Sequence, residues 1–283
     1  MIDDAMTRPR QAQPVLSLRG ISKHFGAVSA LTDIELDVDA GEVVALVGDN
    51  GAGKSTLVKL LAGVHQPSAG TITFCGEQVT LPDPATALDL GIATVFQDLA
   101  LCENLDVVAN IFLGRELSPL CLDEVSMEVR AWTLLNDLAA RIPSVRDVVA
   151  SLSGGQRQTV AIARSLLLEP KLIMLDEPTA ALGVAQTAEV LNLIDRVRDR
   201  GLGVIMISHN MEDVRAVADR IVVLRLGRNN GVFYPDSSNE ELVAAITGAT
   251  ENAVSRRADR RLAEHRAEHD AEHHAEHDAS GDT

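Results

Sequence analysis

Apolar residues fall along the chain in two rhythms. The apolar, β-branched run Glu42-Val43-Val44-Ala45-Leu46-Val47 predicts a buried strand, Leu172-Ile173-Met174-Leu175 a strand buried on both faces, and Ile92-Ala93-Thr94-Val95-Phe96 and Val204-Ile205-Met206-Ile207 two further strands. Between Glu128 and Leu138 the apolar positions recur every three or four residues instead, which predicts an amphipathic helix. From Leu172 to Leu226 strand-like runs alternate with helical stretches; βαβ units and a parallel sheet follow, so the fold class is α/β. Thr71-Ile72-Thr73-Phe74-Cys75-Gly76 adds a β-rich region within residues 15 to 96. Residues 1–14, with Pro9, Pro14 and mixed charge, read as a loose arm, and residues 251–283 as a low-complexity tail.

The first run leads straight into Gly48-Asp49-Asn50-Gly51-Ala52-Gly53-Lys54-Ser55-Thr56. This is the Walker A pattern of a P-loop, and it implies binding of a nucleoside triphosphate. The glycines let successive N–H groups point into one concavity, and a helix starting near Gly53 adds its positive end to the same anion site. Lys54 is placed to reach the β- and γ-phosphates, and the Ser55 hydroxyl to reach Mg²⁺. A glycine-rich turn without a ligand would not require strand, loop and Lys-Ser in this order.

Two further segments narrow the reading: Leu152-Ser153-Gly154-Gly155-Gln156-Arg157-Gln158, and Leu172-Ile173-Met174-Leu175-Asp176-Glu177-Pro178-Thr179. With them the chain resembles an ATP-binding cassette (ABC) ATPase from about Val15 to Thr247. The resemblance implies a P-loop NTPase fold with a parallel core sheet, a β-rich lobe and a helical signature subdomain over about residues 98–160. It implies ATP and Mg²⁺ as cofactors. In such proteins Ser153, Gly154, Gly155 and Gln156 would cap the γ-phosphate held by the Walker A loop of a second cassette, either another copy of this chain or a paralogue. Asp176 and Glu177 end a strand at the carboxyl edge, where parallel sheets bind ligands; the plainer alternative is that two acids end the strand and cap the next segment. By resemblance Asp176 and Ser55 hold the metal shell and Glu177 is the general base. Gln97 contacts metal and water and senses a transmembrane partner, and His209 is the switch histidine at the γ-phosphate. Phe25 matches the aromatic that stacks on adenine, with a core phenylalanine as the alternative. One departure is that Ala180-Ala181-Leu182-Gly183 lacks the aspartate that usually ends the segment after the Walker B strand.

Charge and composition bound the partners. The net charge of −16 is poorly suited to gripping nucleic-acid phosphates, so nucleic acid is not an expected partner. No apolar run approaches the roughly 20 residues that span a bilayer, and the N-terminus lacks a basic region followed by an apolar stretch, so the expectation is a soluble cytoplasmic protein. Cys75, Cys102 and Cys121 are odd in number and lack metal-ligand spacing, as expected in a reducing compartment. One copy of each motif means one cassette. Gly91-Ile92-Ala93-Thr94-Val95-Phe96-Gln97-Asp98-Leu99, Asn110-Ile111-Phe112-Leu113-Gly114-Arg115-Glu116 and Gly203-Val204-Ile205-Met206-Ile207-Ser208-His209-Asn210 resemble ATPase subunits of bacterial pentose and hexose importers. That resemblance implies a membrane permease, attachment at the inner face of the membrane through it, and indirectly a solute-binding protein. A non-transport ABC ATPase, or an importer of another solute such as amino acids, is the alternative. In the tail His265, His269, His273 and His277 recur every four residues, as a Zn²⁺- or pH-responsive stripe or as a passive extension.

Overall fold

The computed structural model describes residues 13–117 and 122–248. The arm through residue 12, Cys121 and the histidine stripe lie outside the described residues. In chain order the elements are β1 (Leu16–Phe25), β2 (Val28–Val38), β3 (Val43–Val47), α1 (Lys54–Leu61), β4 (Ala69–Phe74), β5 (Glu77–Val79), α2 (Pro84–Asp89), β6 (Ile92–Val95), α3 (Val107–Phe112), α4 (Glu124–Asp137), α5 (Gly154–Leu166), β7 (Leu172–Asp176), α6 (Val184–Asp199), β8 (Gly203–Ile207), α7 (Met211–Val217), β9 (Arg220–Arg225), β10 (Arg228–Phe233) and α8 (Asn239–Thr247).

They form two sheets. β2-β1-β4-β5 is antiparallel, and a six-stranded sheet runs in the order β10-β9-β3-β8-β7-β6. The larger sheet is parallel except for the β9–β10 hairpin at its edge.

Period-2 geometry explains why its central strands are apolar throughout. In β7, Ile173 and Leu175 join a core built with α3, α4, α5 and α6, while Leu172 and Met174 join a second core with α1 and the antiparallel lobe. β3 and β8 divide in the same way, Val43, Ala45, Val47, Val204 and Met206 to the first core, Val44, Leu46, Ile205 and Ile207 to the second. Each of the Val, Leu, Ile and Met side chains contributes about 1.5–3 kcal/mol when fully buried, so a polar residue on either face would be costly.

The amphipathic helix predicted from Glu128 begins four residues earlier, because Asp123 caps it by accepting from the Ser126 N–H at 3.1 Å. Within residues 98–160 the helices are α3, α4 and the start of α5, and their apolar residues are continuous with the core under the sheet. The connection before α3 is knotted by Asn110, which is fully buried. Its amide nitrogen donates to the carbonyls of Cys102, Leu105 and Asp106, and its oxygen accepts from the Cys102 N–H. Among the described residues no helix is long and apolar enough to cross a membrane.

Candidate functional site

The parallel register delivers the predicted residues to one edge. β3 ends at Val47, one residue before the glycine loop; β7 ends at Asp176, paired with Ile207 at the end of β8; and β6 ends at Val95, beside Leu175. Gln97, Glu177 and His209 therefore follow three neighbouring strands at the same carboxyl edge as the loop from Gly48 to Lys54, where open α/β sheets place their ligands.

Two glycines of that loop have no room for a side chain. A Cβ on Gly48 would sit 2.2 Å from the Leu224 carbonyl oxygen, and one on Gly53, at φ 104°, would lie 2.7 Å from Leu31 Cδ2. The loop leads into α1, whose N-cap Gly53 gives no side-chain hydrogen bond and whose first turn holds no acid. The first N–H groups of α1 therefore have no capping side chain, as a phosphate site requires. Lys54 Nζ straps the loop, donating to the carbonyls of Gly48 at 2.6 Å and Asp49 at 3.1 Å. A cleft of about 270 Å³ opens here, lined by Asn50 to Thr56 and by Val28, Ser29 and Ala30 of the β1–β2 hairpin. The three hairpin residues were missed from sequence, since nothing in their composition signals a ligand. Phe25 pairs with Val28 in that hairpin and is 44 % exposed; its ring meets His65 edge-on at 5.1 Å and lies 5.0 Å from Lys23 Nζ.

The charges at this edge feel one another. Burial pushes the Lys54 ammonium below its usual pKa, against the opposing pull of Glu177, Asp49 and Asp176. Burial, and then Glu177, raise the Asp176 carboxyl, with Lys54 and Lys59 drawing it down. Glu177 takes a left-handed backbone at φ 51°, its N–H donates to the Ile207 carbonyl at 2.9 Å, and its Oε2 lies 2.8 Å from His209 Nδ1. Gln97 is exposed, two residues past β6. The segment after it is held by Arg164, which donates to the carbonyls of Leu99 at 2.6 Å and Ala100 at 2.8 Å. Sequence reasoning also missed a buried pair between the Glu177 and His209 loops, Thr179 Oγ1 donating to Asp213 Oδ2 at 2.6 Å. No spacing rule links these two residues.

The Ser153–Gln156 segment is built differently. Ser153 caps α5 by accepting from the Gln156 N–H at 3.3 Å, and Gln156 Oε1 accepts from the Ser153 N–H at 2.9 Å. Gly154 and Gly155 are the first helical residues, and closeness to α6 and to Leu182 just before it explains them. A Cβ on Gly155 would lie 3.0 Å from Gln186 Cβ, and one on Gly154 would lie 2.8 Å from Leu182 Cδ2. None of residues 153–156 lines the cleft at the phosphate loop of their own chain.

Comparison with known proteins decides the family. Residues 31–180 match the family profile of ABC transporters. The chain belongs to the ABC transporter family. It is 44% identical over 234 residues to a xylose/arabinose import ATP-binding protein of Sulfolobus acidocaldarius, covering 82% of this chain and 92% of that one. It is 43% identical over 249 residues to a fructose import ATP-binding protein of Rhizobium meliloti, covering 84% and 96%. A ribose import ATP-binding protein of Rubrobacter xylanophilus is 40% identical over 238 residues, and the match spans 83% of this chain but 47% of that longer one. Among solved structures, a nucleotide-free ATP-binding cassette from an ABC transporter superposes with a TM-score of 0.73 at 26% identity, covering 83% of this chain and 96% of that one. An ABC cassette in its ADP conformation also gives a TM-score of 0.73 at 26% identity, covering 84% and 96%. The α/β architecture is thus that of an ABC ATPase, and the chain is an ATP-binding ATPase.

Proposed function

We propose that this cassette hydrolyses ATP to power import of a monosaccharide. It would act as a dimer with a second cassette, beneath a transmembrane permease at the inner face of the membrane and served by a solute-binding protein. The observation that carries the reading is the gathering of Lys54, Asp176, Glu177 and His209 at one sheet edge, with Glu177 Oε2 and His209 Nδ1 2.8 Å apart. The sugar-import names of relatives above 40% identity support the substrate class.

The loop from Gly48 to Thr56 wraps the phosphates with backbone N–H groups and with Lys54, whose ammonium moves from loop carbonyls to the β- and γ-oxygens. Phe25 stacks on the adenine. Ser55, Gln97 and Asp176 supply hydroxyl, amide and carboxylate oxygens, a donor set suited to Mg²⁺, which keeps waters and phosphates in its shell. Mg²⁺, when bound, neutralises charge developing on the β- and γ-phosphates. Glu177 accepts the proton of the attacking water, and His209 holds the carboxylate oriented while facing the γ-phosphate. Ser153, Gly154, Gly155 and Gln156 serve the partner's site, in keeping with their absence from the lining of their own cleft.

Glu177→Gln keeps shape and hydrogen bonding but removes the base. Turnover should fall by about 10²-fold or more while an ATP-bound dimer accumulates in sedimentation with Mg-ATP. Near-normal turnover would refute the assignment. In a strain lacking the gene, loss of radiolabelled pentose or hexose uptake with intact amino-acid uptake tests the substrate class.

A further inference from the structure

Among the described residues, one hydrogen bond joins two side chains that are both buried, the bond from Thr179 to Asp213. Thr179 lies two residues beyond Glu177, and Asp213 four beyond His209. Both reacting-edge residues need outside support. Glu177 and Ala181 hold left-handed backbones at φ 51° and 60°, conformations that persist for L-residues only when the surroundings over-determine them. His209 has a 74 % exposed side chain whose ring contacts Glu177. The 2.8 Å separation between them is therefore set by the two loop backbones.

Besides the Glu177–His209 contact itself, two hydrogen bonds tie those loops together. The Glu177 N–H to Ile207 carbonyl bond continues the sheet at the strand ends. The Thr179–Asp213 bond ties them again beyond the bend, inside the protein, where α7 has begun with Asn210 as its cap. One tie leaves a hinge; two fix an orientation. Neither Thr179 nor Asp213 lines the phosphate-loop cleft.

We infer that the buried Thr179–Asp213 hydrogen bond is a latch that positions Glu177 against His209 for hydrolysis. Thr179 and Asp213 are then positioning residues, and the inference rests on reading Glu177 as the base. The Thr179 hydroxyl is the donor and Asp213 Oδ2 the acceptor.

The test compares Thr179→Val/Asp213→Leu, Thr179→Ser and Glu177→Gln with a triple variant carrying the first pair on Glu177→Gln. Each is the full chain, measured for ATPase kcat and KM and for thermal unfolding. Replacing both partners by apolar groups leaves no buried polar group unsatisfied, so the double variant should fold. We expect it to keep its melting temperature and a KM for ATP within about twofold, while kcat falls about ten- to a hundredfold, as for a small misplacement of a reacting group. Thr179→Ser, which keeps the hydroxyl, should restore turnover. On the Glu177→Gln background the loss should vanish, because no base is left to position. A double variant with normal kcat, or the same fold-loss with Glu177→Gln present, overturns the latch. If the double variant does not fold, Thr179→Val against Thr179→Ser makes the same comparison. Should Glu177→Gln abolish turnover while the double variant retains it, the latch fails and the base stands; should Glu177→Gln turn over normally, the base assignment fails and takes the latch with it.

Discussion

Helices α1 and α5 both start from glycine-containing segments, and their ends are finished in opposite ways. At α1 the cap is Gly53, left-handed and without a side chain, and Lys54 bonds loop carbonyls. At α5 Ser153 and Gln156 satisfy each other in a reciprocal box, and the two glycines are filled against α6. The first end is open to an anion by construction. The second is complete by itself and can serve a nucleotide only by redirecting bonds it already makes. This difference suits a site in which one cassette binds the phosphates and the other closes over them.

Mixing subunits tests that division, and with the largest expected effect. Lys54→Ala and Ser153→Arg homodimers should each lose turnover by about 10²-fold or more. A heterodimer of the two places both lesions in one composite site and leaves the other intact, so ATPase activity should return on mixing. If confirmed heterodimers stay as inactive as the parents, either the open and closed ends do not face each other across the dimer or both sites are needed for any turnover. Mixed dimers of either variant with wild type separate these cases.

The reason for the closed end's glycines can be broken next. Gly155→Ala puts a methyl 3.0 Å from Gln186 Cβ and 3.3 Å from its Cγ, and the Cβ can give way only if α6 shifts with it. It should cost about 1–3 kcal/mol in denaturant unfolding through overpacking. Gln186→Gly in the same chain should recover part of that. An unchanged midpoint for Gly155→Ala would mean that α6 is not pressed against this end.

Sequence alone exposed the open end far better than the closed one, for a physical reason. A loop of the kind proposed to wrap phosphate has its residue types dictated locally, so Gly48 to Ser55 stand out by order and spacing, and the strands at Val43–Val47 and Leu172–Leu175 by apolar runs that serve two cores. What Gly154 and Gly155 meet depends on where α6 lies, which no local pattern encodes. Asn110 as a four-bond knot, Val28 to Ala30 as cleft lining, and Thr179 with Asp213 are likewise made by tertiary approach. The antiparallel lobe was legible only as β-rich, because its register follows from the β2-β1-β4-β5 order.

Charge marks the same contrast and predicts a smaller effect. Asp176 at the open end has its carboxyl raised by burial and by Glu177, so its ionisation opposes folding of the unliganded protein. The sign follows from linkage: with a folded pKa above the unfolded one, the native state binds more protons, and stability falls as pH rises between the two values. Asp176→Asn should therefore raise the melting temperature at pH 7, and the gain should shrink toward acid pH, where the wild-type carboxyl is protonated in both states. ATPase activity should be lost in the same variant. A lower melting temperature at pH 7 would show that the carboxylate stabilises the fold, and the open end would then not be held at a cost.

The smallest effect is expected at Gly183, which precedes α6 and lies one residue past Leu182, the side chain that Gly154 packs beside. Gly183 is the N-cap, in extended backbone at φ −75° and ψ 161°, with no side-chain bond, and a Cβ there meets nothing within 4 Å. Aspartate fits that conformation without strain, accepts from the N–H groups of the first turn, and places a negative charge at the helix's positive end. Gly183→Asp should stabilise the chain by a few tenths of a kcal/mol, up to about 1, read as a shift in denaturant midpoint with unchanged slope. It also restores the carboxylate that the family usually carries at this place. Tighter coupling between the two sites would appear as a lower return of activity in the Lys54→Ala and Ser153→Arg mixture when both subunits carry Gly183→Asp. Stabilisation with unchanged recovery would confine the residue to capping, and a loss of stability would mean that this end of α6 is satisfied as it stands.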